Sequence, residues 1–224
     1  MMATAAAMTP AFSTRPATQR RPAAQRVTFH PMARPHAVSR LAKRHMAPKR
    51  RAASAVVATA APTDVRTVCG DVSGSGLKVA VVTARFNSLV TKALLEGCLE
   101  TLLANGVAAE DVVSTWVPGA FELGVVSKNI AASGKFDAVV CLGAIIRGDT
   151  SHYDAVVGAA TSGVQSAGAA TGVPCIFGVL TTDNMDQALN RCGGKAGNIG
   201  CNAAATAIET ASLLAKLKAE GMSV

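Results

Sequence analysis

The stretch Ala138-Val139-Val140-Cys141-Leu142-Gly143-Ala144-Ile145-Ile146, followed at once by Arg147-Gly148-Asp149-Thr150-Ser151-His152-Tyr153, decides the fold. A near-continuous apolar run rich in Val and Ile is how a strand buried on both faces reads, and such strands belong to parallel sheets covered by helices. Ligands of open α/β sheets collect at the carboxyl ends of such strands. The chemistry is therefore expected just after Ile146. There stands His152, the one histidine beyond His45. Its ring can exchange protons near neutrality, which makes it a candidate general acid or base.

Outward from this run the pattern repeats. Lys78–Ala84, Val112–Val117 and Val173–Thr181 also read as strands. Ser88–Asn105, Ala120–Ser133, Ser151–Thr171, Asp183–Cys192 and Ala203–Lys218 have helical length and pattern. Glycines at Asn105-Gly106, Ser133-Gly134 and Thr171-Gly172 mark helix C-termini. Strand and helix alternate, which predicts a flavodoxin-like three-layer α/β/α fold with a four-stranded parallel sheet and right-handed crossovers. Thr67–Asp71 reads as a short additional N-terminal strand, joined through Ser73-Gly74-Ser75-Gly76.

The formal net charge of +8 misleads about function. Residues 1–63 hold eleven Lys and Arg and no Asp or Glu, whereas from Asp64 onward eleven basic residues face fourteen acidic ones, a net charge of −3. The basic character lies in the leader, so nucleic acid is not an expected partner. Rich in Arg, Ala, Ser, Thr and Pro and without an apolar core, the leader reads as an organellar transit peptide, residues 1–60, expected to be disordered and cleaved between about Arg51 and Ala61. Residues 61–76 read as a linker carrying the short strand, and residues 77–224 are expected to form one folded domain. No apolar stretch is long enough to span a bilayer, so no membrane association is expected. The six cysteines, Cys69, Cys98, Cys141, Cys175, Cys192 and Cys201, show no paired C-x-x-C spacing and read as reduced core fillers. With one histidine in the folded part, no metal ligand set is expected.

All four strands end in chemically varied residues. Phe86 suits stacking on a flat heterocycle, although a core-capping role fits the sequence as well. Glu122 can accept hydrogen bonds from polyol hydroxyls or simply stabilise a helix start. Gly148 to Ser151 open a helix, where free amides and hydroxyls suit a phosphate, or where Asp149 or Thr150 acts as an ordinary cap. Arg191 can grip phosphate through two parallel hydrogen bonds.

Five blocks occur in family order and spacing: Arg85-Phe86-Asn87; Trp116 to Glu122; Leu142-Gly143 with Arg147-Gly148-x-Thr150-x-His152; Ile176-Phe177-Gly178 with Thr181-Thr182; and Lys195-Ala196-Gly197-Asn198. From about Gly76 to Leu214 the chain resembles the 6,7-dimethyl-8-ribityllumazine synthases, which act at the penultimate step of riboflavin biosynthesis. The resemblance implies a transferase. It would condense 5-amino-6-(D-ribitylamino)uracil with 3,4-dihydroxy-2-butanone 4-phosphate through an imine, loss of phosphate, ring closure and dehydration, with no cofactor. By resemblance Phe86 stacks on the pyrimidine; Ala120, Phe121 and Glu122 hold the ribityl chain; and Ala144, Ile145 and Ile146 meet the pyrimidine through backbone groups. Phe177 reaches the heterocycle from a neighbouring subunit. Asp149, Thr150 and Arg191 hold the phosphate, and His152 transfers protons.

The resemblance also implies pentamers, with the short Gly193-Gly194 loop favouring their assembly into an icosahedral shell, riboflavin synthase as a partner, and a location in the chloroplast stroma after leader cleavage. Many members carry Lys where Ile199 stands and an acidic residue where Asn202 stands. Loss of both charges together reads as compensation. The competing reading is a non-catalytic flavin- or lumazine-binding shell protein of the same fold.

Overall fold

The chain alternates five helices with four strands of one parallel sheet in this computed structural model, which describes residues 65–222. The leader, residues 1–60, and its cleavage interval lie outside the described residues. The strands are β1 (Val79–Ala84), β2 (Val112–Val117), β3 (Ala138–Ile146) and β4 (Cys175–Thr182), in the order β2-β1-β3-β4. Parallel register sets Val79 beside both Val112 and Ala138, and Val139 beside Cys175. Order reverses between β1 and β3, which makes their carboxyl ends the switch point where a crevice opens.

Alternation along the two central strands builds two cores. Val79 and Val81 of β1 and Val140 and Leu142 of β3 face α1 (Ser88–Ala104) and α5 (Ile199–Ala219), packing with Leu94, Leu102 and Ile208. Ala80, Val82, Val139 and Cys141 face the opposite way, onto Leu123, Ala160 and Val164 of α2 (Leu123–Ala132) and α3 (His152–Thr171). All six residues of β1 are buried. The edge strand β2, by contrast, leaves Val113 and Trp116 exposed.

Small residues let the helices in each layer approach closely. A Cβ on Gly124 of α2 would lie 2.7 Å from the Gly163 Cα of α3, and one on Gly200 would collide with the Leu94 carbonyl oxygen of α1. Gly106, Gly134 and Gly172 follow α1, α2 and α3 with φ of 91°, 66° and 72°, as helix C-termini require.

The structure departs from the sequence reading at several places. β4 begins at Cys175 because Pro174 has no N–H, while its carbonyl accepts a bond from the Val139 amide at 2.9 Å. The first turn of the predicted second helix, Ala120–Glu122, winds as a tighter 3₁₀ turn. α5 starts at Ile199, four residues early: the Asn198 side-chain oxygen caps Gly200 at 2.8 Å, and Gly200 is a packing residue there, not a breaker. Cys192–Gly194 (β5) and Gly197–Asn198 (β6) form a two-stranded antiparallel hairpin where a loop was expected.

Thr67–Asp71 pairs with no strand among the described residues. It lies along α5 instead, where Ser212 Oγ accepts from the Asp71 amide at 2.6 Å and Lys216 Nζ donates to the Cys69 carbonyl at 2.8 Å. No helix among the described residues is long and apolar enough to cross a membrane.

The Gly124–Gly163 contact yields a direct test. Gly124→Ala must push α2 off α3, and overpacking of this kind costs about 1–3 kcal/mol. A lower denaturation midpoint than wild type is the expected result, and an unchanged midpoint would show that the helices can part freely.

Candidate active site

The carboxyl ends of β1, β2 and β3 converge on a cleft of about 450 Å³. Hydrogen bonding carries β1 past its last strand residue: the Arg85 amide donates to the Val117 carbonyl at 2.8 Å and the Phe86 amide to the Pro118 carbonyl at 3.1 Å. Phe86 thereby stands at the cleft mouth with 71% of its surface exposed, a poor position for a core cap and a good one for stacking. Across from it the Gly119 amide donates to Glu122 Oε2 at 2.8 Å. That bond fixes the carboxylate at the cleft wall beside Ala120 and Phe121. The stabilising and ligand-binding readings of Glu122 are thus compatible.

Ala144, Ile145 and Ile146 line the floor at the end of β3, and Thr150 and His152 line the rim, both exposed. Ser151 occupies the cap position of α3, and no side chain caps that helix, so Asp149 and Thr150 do not serve as ordinary caps. Asp149 is exposed and is not part of the cleft lining.

Arg147 explains the shape of this corner. Its guanidinium approaches Asp154 of α3 at 3.5 Å and Asp183 after β4 at 3.4 Å, and sits 4.0 Å from the centre of the Tyr153 ring. The corner after β3 is thus pinned to the starts of α3 and of α4 (Met185–Arg191) by a half-exposed arginine. Phe177 and Arg191 are elsewhere. They line a second cavity of about 610 Å³ with Gln187, Asn190 and Ile199. Phe177 is in register with Cys141, three residues before the Ala144 level, which at a rise of about 3.3 Å per residue is roughly 10 Å down the strand. Asn202 follows Ile199 by one helical turn and lines an adjoining groove. Lys195 is exposed between β5 and β6.

The family model for 6,7-dimethyl-8-ribityllumazine synthase matches residues 76–215. The chain belongs to this family. It is 60% identical over 161 residues to the chloroplastic 6,7-dimethyl-8-ribityllumazine synthase of Arabidopsis thaliana, covering 71% of this chain and 70% of the relative. To the chloroplastic enzyme of Spinacia oleracea it is 56% identical over 166 residues, covering 74% and 72%. The chain is therefore a transferase of riboflavin biosynthesis, a lumazine synthase that acts on small molecules and assembles as an oligomer. The chloroplast location implied by the resemblance agrees with both relatives, which are named as chloroplastic. Nothing in the fold or the relatives favours the non-catalytic reading.

Of the cleft residues, Asn87, Pro118, Gly119 and Tyr153 lie in the strand-end stretches already marked but had no role of their own, and Val156 escaped the sequence reading. Asn87 had a usable signal. Asparagine tolerates the left-handed conformation, and this one falls between a strand end and a helix start.

No group of three or more His, Cys, Asp or Glu among the described residues could hold a metal. The buried cysteines are inert at neutral pH. Burial, with nearby Cys201 adding to it, pushes the Cys98 thiol up to about 12, and burial pushes Cys141 to about 12 against a hydrogen bond from Ser127. Because the folded values lie above the ordinary 9.0, folding favours the neutral thiol. The resulting stability is fully present below pH 9.0 and is lost as pH rises toward about 12. We expect the denaturation midpoint to fall over that interval and to fall less in a Cys98→Ala/Cys141→Ala variant. An equal fall in both proteins would exclude the thiols as the cause.

Proposed function

We propose that the two cavities are complementary halves of one lumazine synthase active site, brought together when one copy sets its β4–α4 cavity against the cleft of the next. The separation of Phe177 and Arg191 from Phe86, Glu122 and His152 within a single chain carries this reading. A head-to-tail interface that joins unlike surfaces can close into a ring, as a pentamer requires.

In the joined site Phe86 stacks on the pyrimidine, with Phe177 of the neighbouring copy reaching the same heterocycle. Ala144, Ile145 and Ile146 present backbone groups to its edge, and Ala120, Phe121 and Glu122 hold the ribityl hydroxyls. Thr150 and the amides opening α3 take the phosphate together with Arg191. Asp149 serves there through its backbone, since its carboxylate would repel the anion. The 5-amino group of the uracil attacks the ketone of the butanone phosphate, and loss of water gives the imine. Removal of the proton from the hydroxyl-bearing carbon then expels phosphate and leaves an enol that ketonises, and attack of the ribitylamino nitrogen on this new carbonyl, followed by loss of a second water, closes the lumazine ring. His152, at the rim beside Thr150, moves the protons.

The short β5–β6 hairpin, free of insertions, supports pentamers assembled into an icosahedral shell, and a partnership with riboflavin synthase would consume the lumazine where it forms. Sedimentation of the protein lacking residues 1–60 distinguishes a shell from a free pentamer. We assign residues 1–60 as the cleaved leader, 61–76 as a linker and 77–224 as the catalytic domain.

Incubation of the mature protein with both substrates should generate lumazine fluorescence above the uncatalysed background. Holding two reactants together supplies much of such a rate, so His152→Ala should lower kcat by about ten- to a hundred-fold and leave turnover measurable. Equal rates in variant and wild type would remove His152 from the mechanism.

Sharing of the site has its own test. Phe86→Ala and Arg191→Ala chains, each nearly inactive alone, should regain activity when co-assembled, because about a quarter of randomly formed interfaces then carry both intact halves. No gain over the separate variants would place both residues in one subunit's site.

A further inference from the structure

β1 and β3 lie side by side at the switch point, yet their ladder stops early. The last register pair is Thr83 with Leu142, and two residues further on the Ala144 carbonyl has no β1 residue opposite it. Asn87 fills that position. Its side-chain amide donates to the Ala144 carbonyl at 2.8 Å across a partly buried gap.

It can do so because of an unusual backbone. Asn87 has φ 59° and ψ 45°, the one left-handed residue other than glycine among the described residues. The same residue caps α1, its carbonyl accepting from the Val90 and Thr91 amides at 2.9 and 3.1 Å. A single asparagine thus ends β1, starts α1 and bonds to the end of β3, with both Phe86 and Ala144 in the cleft lining.

We propose that Asn87 is a positioning residue for the pyrimidine substrate. Its amide stands in for the missing β1 peptide, fixing the direction of the Ala144 peptide and the distance between the Phe86 ring and the end of β3. This inference rests on the reading of the cleft as the pyrimidine half-site. Asn87 acts through Phe86 and Ala144 and need not touch substrate. The ring and the backbone edge that must grip opposite aspects of one flat heterocycle are held to each other by this bond.

Two variants separate positioning from simple support of the fold. Asn87→Gly keeps the left-handed backbone and the α1 start but removes the amide. Asn87→Asp keeps the shape, tolerates the same backbone and replaces the donor with a carboxylate that repels the Ala144 carbonyl until protonated.

Steady-state kinetics should be measured for each substrate in turn, with sedimentation confirming assembly. For Asn87→Gly the KM for ribitylaminouracil should rise about ten-fold, the order expected for one lost hydrogen bond, while the KM for butanone phosphate stays within about two-fold of wild type. For Asn87→Asp activity relative to wild type should recover as pH falls, because a protonated carboxyl can donate where the amide did. Asn87→Gly should show no such recovery. Equal effects of Asn87→Gly on both KM values, or wild-type values for both, would overturn the proposal, as would a pH profile of Asn87→Asp parallel to wild type. Absence of lumazine formation by the wild-type protein would instead overturn the reading of the cleft itself.

Discussion

Burial of β1 and β3 on both faces is the constraint from which the rest of the molecule follows. Each strand sends alternate side chains into opposite helical layers, so Val79, Val81, Val140 and Leu142 serve one core while Ala80, Val82, Val139 and Cys141 serve the other. A charged group in mid-strand would have to be desolvated without a partner, whichever way it pointed. Polar chemistry is thereby displaced to the strand ends. Parallel direction puts all those ends on one side, and the reversal of strand order between β1 and β3 opens the gap that becomes the cleft. Small residues in the covering helices, Gly124 against Gly163 and Gly200 against the Leu94 carbonyl, bring the layers close enough to complete this burial.

What the two layers cannot cover is as informative. Phe86, Phe121 and Val125 each leave more than 60% of their surface exposed, and Trp116 and Phe177 on the edge strands are 36% and 38% exposed. Single exposed apolar side chains are ordinary, but several aromatics gathered at the cleft and the sheet edges mark surfaces made to be covered. Assembly of the kind proposed above would supply the cover. If the two cavities join as proposed, assembly and catalysis become one event, because covering Phe86 and Phe121 would also close the environment in which imine chemistry is to proceed.

Much of this was readable before any coordinates. β2 and β3 run over the residues that the apolar runs marked, and the three glycine stops fall where the helices end, because burial on both faces leaves a continuous hydrophobic signature and a left-handed stop leaves glycine. Legibility failed where a residue's role depends on a distant neighbour. Nothing local marks Gly200 as the point where α5 packs against the Leu94 carbonyl of α1. Thr67–Asp71 has strand composition, yet Ser212 and Lys216, more than 140 positions away, give its backbone other partners. Asn87 stands in the sequence between a strand end and a helix start, but its bond to Ala144 spans 57 positions and follows from the early end of the ladder.

On the proposed reading, charge gives the two cavities different tasks. Among the side chains lining the cleft Glu122 is the one carboxylate, held by the Gly119 amide, and among those lining the second cavity Arg191 is the one cation. On the same reading a phosphate ester is drawn by Arg191 to the Thr150 rim of the joined site, whereas a neutral ribityl chain can donate its hydroxyls to Glu122 at no electrostatic cost. The proposed joined site would therefore sort its substrates by charge before any covalent step. Ile199 sharpens this division. Placed beside Arg191 in the second cavity, it contributes no competing charge and helps exclude water, and a phosphate–guanidinium pair gains strength as the surrounding dielectric falls. An uncharged residue at this position leaves Arg191 the one cation lining that cavity, to act with Thr150 and the α3 amides on the phosphate in the proposed joined site.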